Sequence, residues 1–512
     1  MTRGMTGAAV RKAPVPGLEA LAERQKSMVG VIDVGSNSLR LMLYDRLSRA
    51  PSVLFNEKVM CALGRGLDET GRLNPDGVVL ARDNVERFVL LARRLGVKRL
   101  EVLATAAVRD ASDGREFVAE IEQRCDIRIK VIDGLEEARL GAAGVRAGIP
   151  DADGITGDLG GGSLELAITA PVSTGAVASL PIGPLRMAQD SGDLVRPRAQ
   201  IDAQLKTIPW LPRGRGKPFY AVGGTWRALA RVHMEQVDYP LHIIQHYVIG
   251  RSDAESFLDV VDRQSRRSLE RMAAVSRRRL EAIPIAAYVL HRLLWVIQPS
   301  SIVFSVFGLR EGYLFAQLSA AEQAEDPLLV AAQQMAEANP RFGAGGEELL
   351  RWCRSLFPDQ DPAERRLSHG AALLSDLGWN EHPDYRAEQA FTRCLRMPVP
   401  GLDHAGRVFV ASVLHARYGG GAEDPTIAGV RRLITDEALV RARAIGQAFR
   451  LAYTLTGGAP GLLGETRLSQ EDSTLVLEVP EHTAIYTGEA VQRRFDALAR
   501  TLGRRAIVRP AG

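Results

Sequence analysis

The sequence predicts an α/β protein made of two repeated lobes, a mostly helical region and a small α/β tail. Three observations carry that prediction. Between about residues 28 and 318, β-rich runs alternate with helical patterns. ValIleAspValGlySerAsnSerLeuArgLeu (31–41) lines up with ThrGlyAspLeuGlyGlyGlySerLeuGluLeu (156–166), which sets Asp33 and Asp158 125 positions apart (158 − 33). From about 320 to 459 the chain carries long Ala/Leu/Arg stretches with few strand signals, and the last 45 residues return to strand, helix and strand.

Taken in order, residues 1–27 read as a flexible leader. The strand runs VGVIDVGS, RLEVLAT and IRIKVID fall in a first lobe, 28–141. GDLGGGSLELAIT, FYAVGG and SIVFSV fall in a second, 142–320. A helical region follows over 321–455, and STLVLEV, AVQRRFDALARTL and RAIVR make the small C-terminal segment, 456–512. The polar stretch SAAEQAEDP marks the main boundary.

Composition narrows the function classes. The 512 residues are 46% hydrophobic and 25% charged, which describes an ordinary globular protein. Of 65 basic residues, 58 are Arg and only 7 are Lys, yet the net charge is just +4. The Arg excess runs through every region and reads as codon usage, so bulk charge does not point to nucleic acid. Four widely spaced cysteines, Cys61, Cys125, Cys353 and Cys394, form no Cys-x-x-Cys pair and suggest neither a zinc cluster nor a disulfide framework. The N-terminus lacks an apolar core of a signal peptide. The most apolar segment, IPIAAYVLHRLLWVI (283–297), is broken by His291 and Arg292 and is too short to span a bilayer. These features predict a reduced, cytoplasmic protein with no integral membrane segment.

The repeat carries the chemistry. Each copy reads as a strand, a glycine turn and a return strand. Two-residue alternation buries Leu39, Leu41 and Leu43 in one copy and Leu164, Leu166 and Ile168 in the other. Arg40 and Glu165 then occupy equivalent places on the opposite faces. Glycine lets backbone N–H groups approach an anion, and a neighbouring serine adds a donor. Gly35, Ser36, Asn37 and Ser38 in the first turn, and Gly160, Gly161, Gly162 and Ser163 in the second, therefore read as phosphate loops presented across a shared cleft. An Asp at a strand end is poorly suited to hold phosphate but suits Mg²⁺, which takes one or two carboxylates plus phosphate oxygens. Asp33, Asp158 and Glu165 are the metal candidates, and Arg40 would meet phosphate.

The joint occurrence of GSNS, GLEEARL and GDLGGGS, with VIDVGSNSLRLML, LATAAVRDASDGREF, SLPIGPLRM, YAVGGT and GLREGYLF, resembles the exopolyphosphatase / guanosine pentaphosphate phosphohydrolase family of the actin-like (ribonuclease H-like) ATPase superfamily. The resemblance covers about residues 28–315. It implies two actin-like lobes and Mg²⁺-dependent removal of terminal phosphate from inorganic polyphosphate. The alternative is hydrolysis of the 5′-γ-phosphate of guanosine pentaphosphate (pppGpp). A superfamily kinase, a Hsp70-like chaperone and a non-enzymatic phosphate sensor are more distant readings. No sugar loop or peptide-binding β-domain is visible.

In AspGlyLeuGluGluAlaArgLeu (133–140), Asp133 reads as an N-cap with Glu136 as its capping-box partner. Leu135, Ala138, Ala142 and Val145 read as the buried stripe. Glu137 lies off that stripe with no capping task, and the family's catalytic Glu falls on the same position. It is the expected general base. Arg109 sits where family members hold phosphate, whereas Arg186 and the Arg310–Glu311 pair gain less from their motifs. Gly223, Gly224 and Thr225 form a third strand turn, with Thr225 expected to cap a helix that could face an anion.

LSHGAALLSDLGWNEHP (367–383) resembles a metal phosphohydrolase core, but Ser375 stands where a His should precede Asp376. A degenerate, metal-free HD-like domain is expected, serving homodimerisation and a basic channel, with His369, His382, His404 and His415 satisfied or on the surface.

Overall fold

The computed structural model describes residues 27–187, 194–263, 282–338, 341, 345–480 and 488–510. Apart from Ser27, the expected leader lies outside the described residues. The chain divides into two compact units: one takes the described residues of 1–137 with 160–163 and 181–187, and the other takes 138–159, 164–180 and the described residues from 194 onward.

The first unit is built on a five-stranded sheet. Its strands are β1 (Val29–Val34), β2 (Ser38–Tyr44), β3 (Val53–Met60), β4 (Arg99–Ala104) and β5 (Ile129–Val131), ordered β3-β2-β1-β4-β5. β1, β2 and β3 are antiparallel neighbours, while β1, β4 and β5 run parallel. The helix Pro75–Arg94 begins with Pro at its first turn and ends on Arg93 and Arg94, which suits the helix dipole. It buries Ala81, Val85, Phe88, Val89 and Ala92 against Ile32, Leu39, Leu41 and Leu43.

The second unit repeats that topology. It contains β6 (Gly154–Leu159), β7 (Leu164–Ala170), β8 (Ser173–Leu180), β9 (Phe219–Val222), β10 (Tyr247–Gly250) and β11 (Ser301–Phe304), ordered β10-β11-β9-β6-β7-β8. The sense of pairing along β8-β7-β6-β9-β11 copies that along β3-β2-β1-β4-β5, with β10 added antiparallel at the edge. The repeat read from eleven residues is thus a repeat of whole sheets. Strands β3, β8 and β10 were not among the predicted runs. Each is an edge strand; β3 is largely exposed and carries Asn56, Glu57 and Lys58, β8 carries Ser173, Thr174 and Ser179, and β10 is only four residues long.

The helical region follows as expected, in the helices Pro327–Ala338, Gly346–Cys353, Pro362–Leu373, Arg386–Arg396, His404–Arg417 and Asp436–Thr456. The tail is a three-stranded sheet of β12 (Arg467–Glu471), β13 (Thr474–Val479) and β14 (Arg505–Pro510), with the helix Glu489–Thr501 packed on the helix Asp436–Thr456. Helical region and second sheet meet through a buried aromatic–histidine network. Tyr239 Oη lies 2.7 Å from His404 Nδ1, and His404 Nε2 lies 3.2 Å from the Gln245 carbonyl. Burial, reinforced by the charge of nearby Arg407, pushes His404 down to about 4. His415 is buried against Asp424, His369 lies beside Glu347 and His382 is exposed. Among the described residues no helix is long and apolar enough to cross a membrane.

Candidate active site

The two glycine turns close with the same hydrogen bond. Gly35 N donates to Ser38 O at 3.1 Å, and Gly160 N donates to Ser163 O at 3.0 Å. Each is the tip of a tight hairpin, with Asp33 opposite Arg40 in one and Asp158 opposite Glu165 in the other. The tip 160–163 belongs to the same unit as the tip 35–37, and the two lie against each other. A Cβ added at Gly161 would stand 3.2 Å from Asn37 Cβ, and one at Gly162 would stand 2.9 Å from Ser36 Oγ. A side chain at either position would crowd this packing.

The backbone around the tips is fixed mainly through carbonyls. Gly64 N donates to Ser36 O, Cys61 N and Ala62 N donate to Asn37 O, and Leu185 N donates to Gly161 O. Among the described residues the N–H groups of Ser36, Asn37, Gly161 and Gly162 donate to no carbonyl. Unmade N–H donors gathered at two adjoining turns are available to an anion.

Beside the tips runs a chain of alternating charges. Arg109 Nη1 lies 3.1 Å from Glu137 Oε2 and 3.0 Å from the Ile132 carbonyl, while its Nε reaches Asp110 Oδ1 at 3.1 Å. Asp110 Oδ2 accepts from Arg186 Nη2 at 2.8 Å, and Arg186 Nε pairs with Asp68 Oδ1 at 2.9 Å. Burial raises the Asp68 carboxyl, an effect that Arg186 opposes. The helix Gly134–Gly148 holds Glu137 in place because Asp133 caps it, accepting from Leu135 N and Glu136 N at 2.9 and 2.8 Å.

Several expectations need correction. Glu137 is not a free carboxylate: its side chain is 13% exposed and paired to Arg109. The stripe on its helix starts at Ala138, because Leu135 stands in a first turn that projects past the core and is 46% exposed. The Glu136 carboxylate meets Lys130 Nζ at 2.5 Å. Thr225 is not a cap. The helix Gly224–Gln236 is capped by Gly223, whose φ of 111° and close approach to Leu159 O (2.4 Å from an added Cβ) both require glycine. Arg186 was rated below Arg109 in the sequence, yet it joins the same network. Asp110 and Asp68 were missed, although Asp110 directly follows Arg109.

In the second unit the strand register sets Asp158 and Glu165 directly across from each other. Glu165 is 2% exposed and accepts from Ser179 Oγ at 3.0 Å, so it lies within the sheet layer and is not open to solvent. Asp158 Oδ2 occupies a space kept open by glycine. It lies 3.3 Å from a Cβ added at Gly308 and 3.9 Å from one at Gly141. Hard carboxylate oxygens in such a cradle suit a divalent cation that keeps waters and phosphate oxygens as its other ligands. Among the described residues no group of three or more His, Cys, Asp and Glu is arranged as a ready-made metal cluster.

Residues 43–321 match the model of the Ppx/GppA phosphatase family, and residues 328–508 match the model described as exopolyphosphatase, C-terminal. Retrograde regulation protein 2 of Saccharomyces cerevisiae is 24% identical over 439 residues, 77% of this chain and 73% of that protein. Exopolyphosphatase 1 of Mycobacterium leprae is 27% identical over 217 residues, 40% of this chain and 64% of that enzyme's length. The crystal structure of an exopolyphosphatase from Cytophaga hutchinsonii superposes with a TM-score of 0.51 at 24% identity, covering 57% of this chain and 97% of that one, and shares its fold.

Proposed function

We propose, for a chain that belongs to the Ppx/GppA phosphatase family and is thereby a hydrolase of phosphoanhydride bonds, that it removes terminal phosphate from inorganic polyphosphate. The observation that carries this reading is the juxtaposition of Glu137, held by Arg109, with two glycine tips whose N–H groups seek acceptors in the same unit.

In the proposed reaction a water oxygen attacks the terminal phosphorus in line with the bridging oxygen. The P–O bond to that oxygen breaks, the shortened chain leaves, and Glu137 takes the water's proton. The Arg109 contact orients Glu137, as a base for water requires. Ser36, Asn37, Gly161 and Gly162 donate N–H groups to the terminal phosphate, and Gly35, Gly160, Ser38 and Ser163 shape those turns. Arg40, in the same unit, binds a further phosphate. Phosphoryl transfer needs little covalent help, so positioning and charge neutralisation carry most of the rate. Bound Mg²⁺ would supply charge neutralisation, and Asp158 and Glu165 are the carboxylates of the second unit that would hold it.

A regulatory role is a second reading, favoured by the relative that covers 77% of this chain and is named for regulation. One experiment separates the possibilities: phosphate release measured side by side from long-chain polyphosphate, tripolyphosphate and pppGpp. Fastest turnover of polyphosphate is expected. Preference for pppGpp would replace the substrate, and no turnover of any of the three would leave regulation. Glu137→Gln should lower release about 10²–10⁴-fold with polyphosphate binding retained, the range for loss of a general base. Unchanged turnover would remove Glu137 from the chemistry.

A further inference from the structure

The helical region carries a concentration of arginine that the reaction does not use. The helix His404–Arg417 ends in Arg417, whose guanidinium lies 3.6 Å above the centre of the Tyr453 ring. Arg450, one turn earlier on the helix Asp436–Thr456, lies flat against Gly419, where an added Cβ would meet its guanidinium at 2.6 Å. Arg494, from the helix Glu489–Thr501, reaches the same place and contacts Thr454 Oγ1. Three guanidinium groups from three helices thus gather around Tyr453 and Thr454. One carboxylate, Asp376, stands near them, 3.5 Å from Arg417 Nη2.

This arrangement is costly as it stands. The Arg417 side chain is only 8% exposed, and among the described residues the buried Nε atoms of Arg417 and Arg494 have no acceptor. Burial, and then the positive charge of their neighbours, lowers both Arg450 and Arg494 from the ordinary arginine value. Like charges held close together and largely out of water need a counter-charge; among the described residues Asp376 stands against three guanidinium groups, and Arg493 adds to the positive field. Arginine's planar fork of donors matches a tetrahedral oxyanion.

We infer that Arg417, Arg450 and Arg494 form a second anion site, in the helical region, for a phosphate-type oxyanion, either free inorganic phosphate or a phosphate group of a larger molecule. The inference does not depend on the chemistry at Glu137.

The test uses the full chain and an Arg450→Gln/Arg494→Gln double variant, both half-buried positions outside the catalytic unit. Equilibrium dialysis with labelled inorganic phosphate should count one more site in the wild type than in the variant, because each lost charged hydrogen bond weakens binding about tenfold or more. Arg450→Lys/Arg494→Lys should recover part of that affinity by keeping the charge without the fork. In phosphate-free buffer the Gln variant should melt no lower than the wild type, since like-charge repulsion has been relieved. In phosphate the order should reverse. Repeating the dialysis with tripolyphosphate and GTP as competitors identifies the source of the oxyanion. Equal phosphate stoichiometry in the two proteins, or a variant less stable in both buffers, would overturn the site and point to a purely structural cluster. Either result leaves phosphate release at Glu137 to be judged separately.

Discussion

The hairpins β1–β2 and β6–β7 share a sequence frame, a turn hydrogen bond and a place in their sheets, but differ in charge at one cross-strand pair. Opposite Asp33 the first hairpin places Arg40, so the pair is neutral within the strand register. Opposite Asp158 the second places Glu165, and two like charges directly across an antiparallel ladder are destabilising. The Ser179 hydroxyl answers part of that charge. One of several differences within the shared frame thus sets an oppositely charged pair in one hairpin and two carboxylates in the other.

Asp158→Asn should have the largest effect. It is expected to lower phosphate release at least about a hundredfold at fixed Mg²⁺, the scale of several kcal/mol for charge stabilisation by a metal, while Asp33→Asn costs less. Equal losses and equal shifts in the Mg²⁺ titration would break the distinction between the two hairpins. A smaller contrast is expected at the divergent pair. Glu165→Gln should raise the Mg²⁺ concentration needed for half-maximal rate about tenfold, on the order of one charged hydrogen bond. Arg40→Gln should raise KM and leave the Mg²⁺ titration unchanged. An Mg²⁺ shift on Arg40→Gln would show that both pairs serve the metal.

The smallest effect concerns pH and separates the units themselves. All the described histidines lie in the second unit, and His404 is pushed down to about 4 in the fold against about 6.5 in the unfolded chain. Between those values the unfolded chain binds the extra proton, so the stability that neutral His404 supplies is present above pH 6.5. It is lost as pH falls towards 4, by at most about 1.4 kcal/mol per pH unit. Melting followed by hydrogen exchange should show the second unit loosening first over that window, and His404→Gln should flatten its pH dependence. A first unit equally sensitive between pH 6.5 and 4 would remove His404 as the cause.

Much of the site was legible because its signals are local. Asp33 and Asp158 sit near the ends of short strands buried almost throughout, each followed by a glycine turn, and the Asp133 cap fixes where the helix bearing Glu137 begins. What could not be read depends on neighbours distant in sequence. Leu135 has the right spacing for burial, but spacing gives a face and not the length of that face that finds a partner. Glu137 looked unoccupied because Arg109 is 28 positions away, and Arg186 looked ordinary because Asp110 is 76 positions away. Thr225 looked like a cap until Gly223 took the position required by its approach to β6.

By itself the sequence determined the two-fold repeat, the glycine tips, the helix that begins at Asp133 and the carboxylates at the strand ends. These follow from alternation, helical spacing and backbone freedom over a few residues. Only the tertiary structure decided which charges meet: Arg109 with Glu137 and Asp110, Arg186 with Asp68, Glu165 with Ser179, and three arginines around Tyr453. Ion pairs act over a few ångströms in space, and no local pattern encodes which parts of a folded chain come that close.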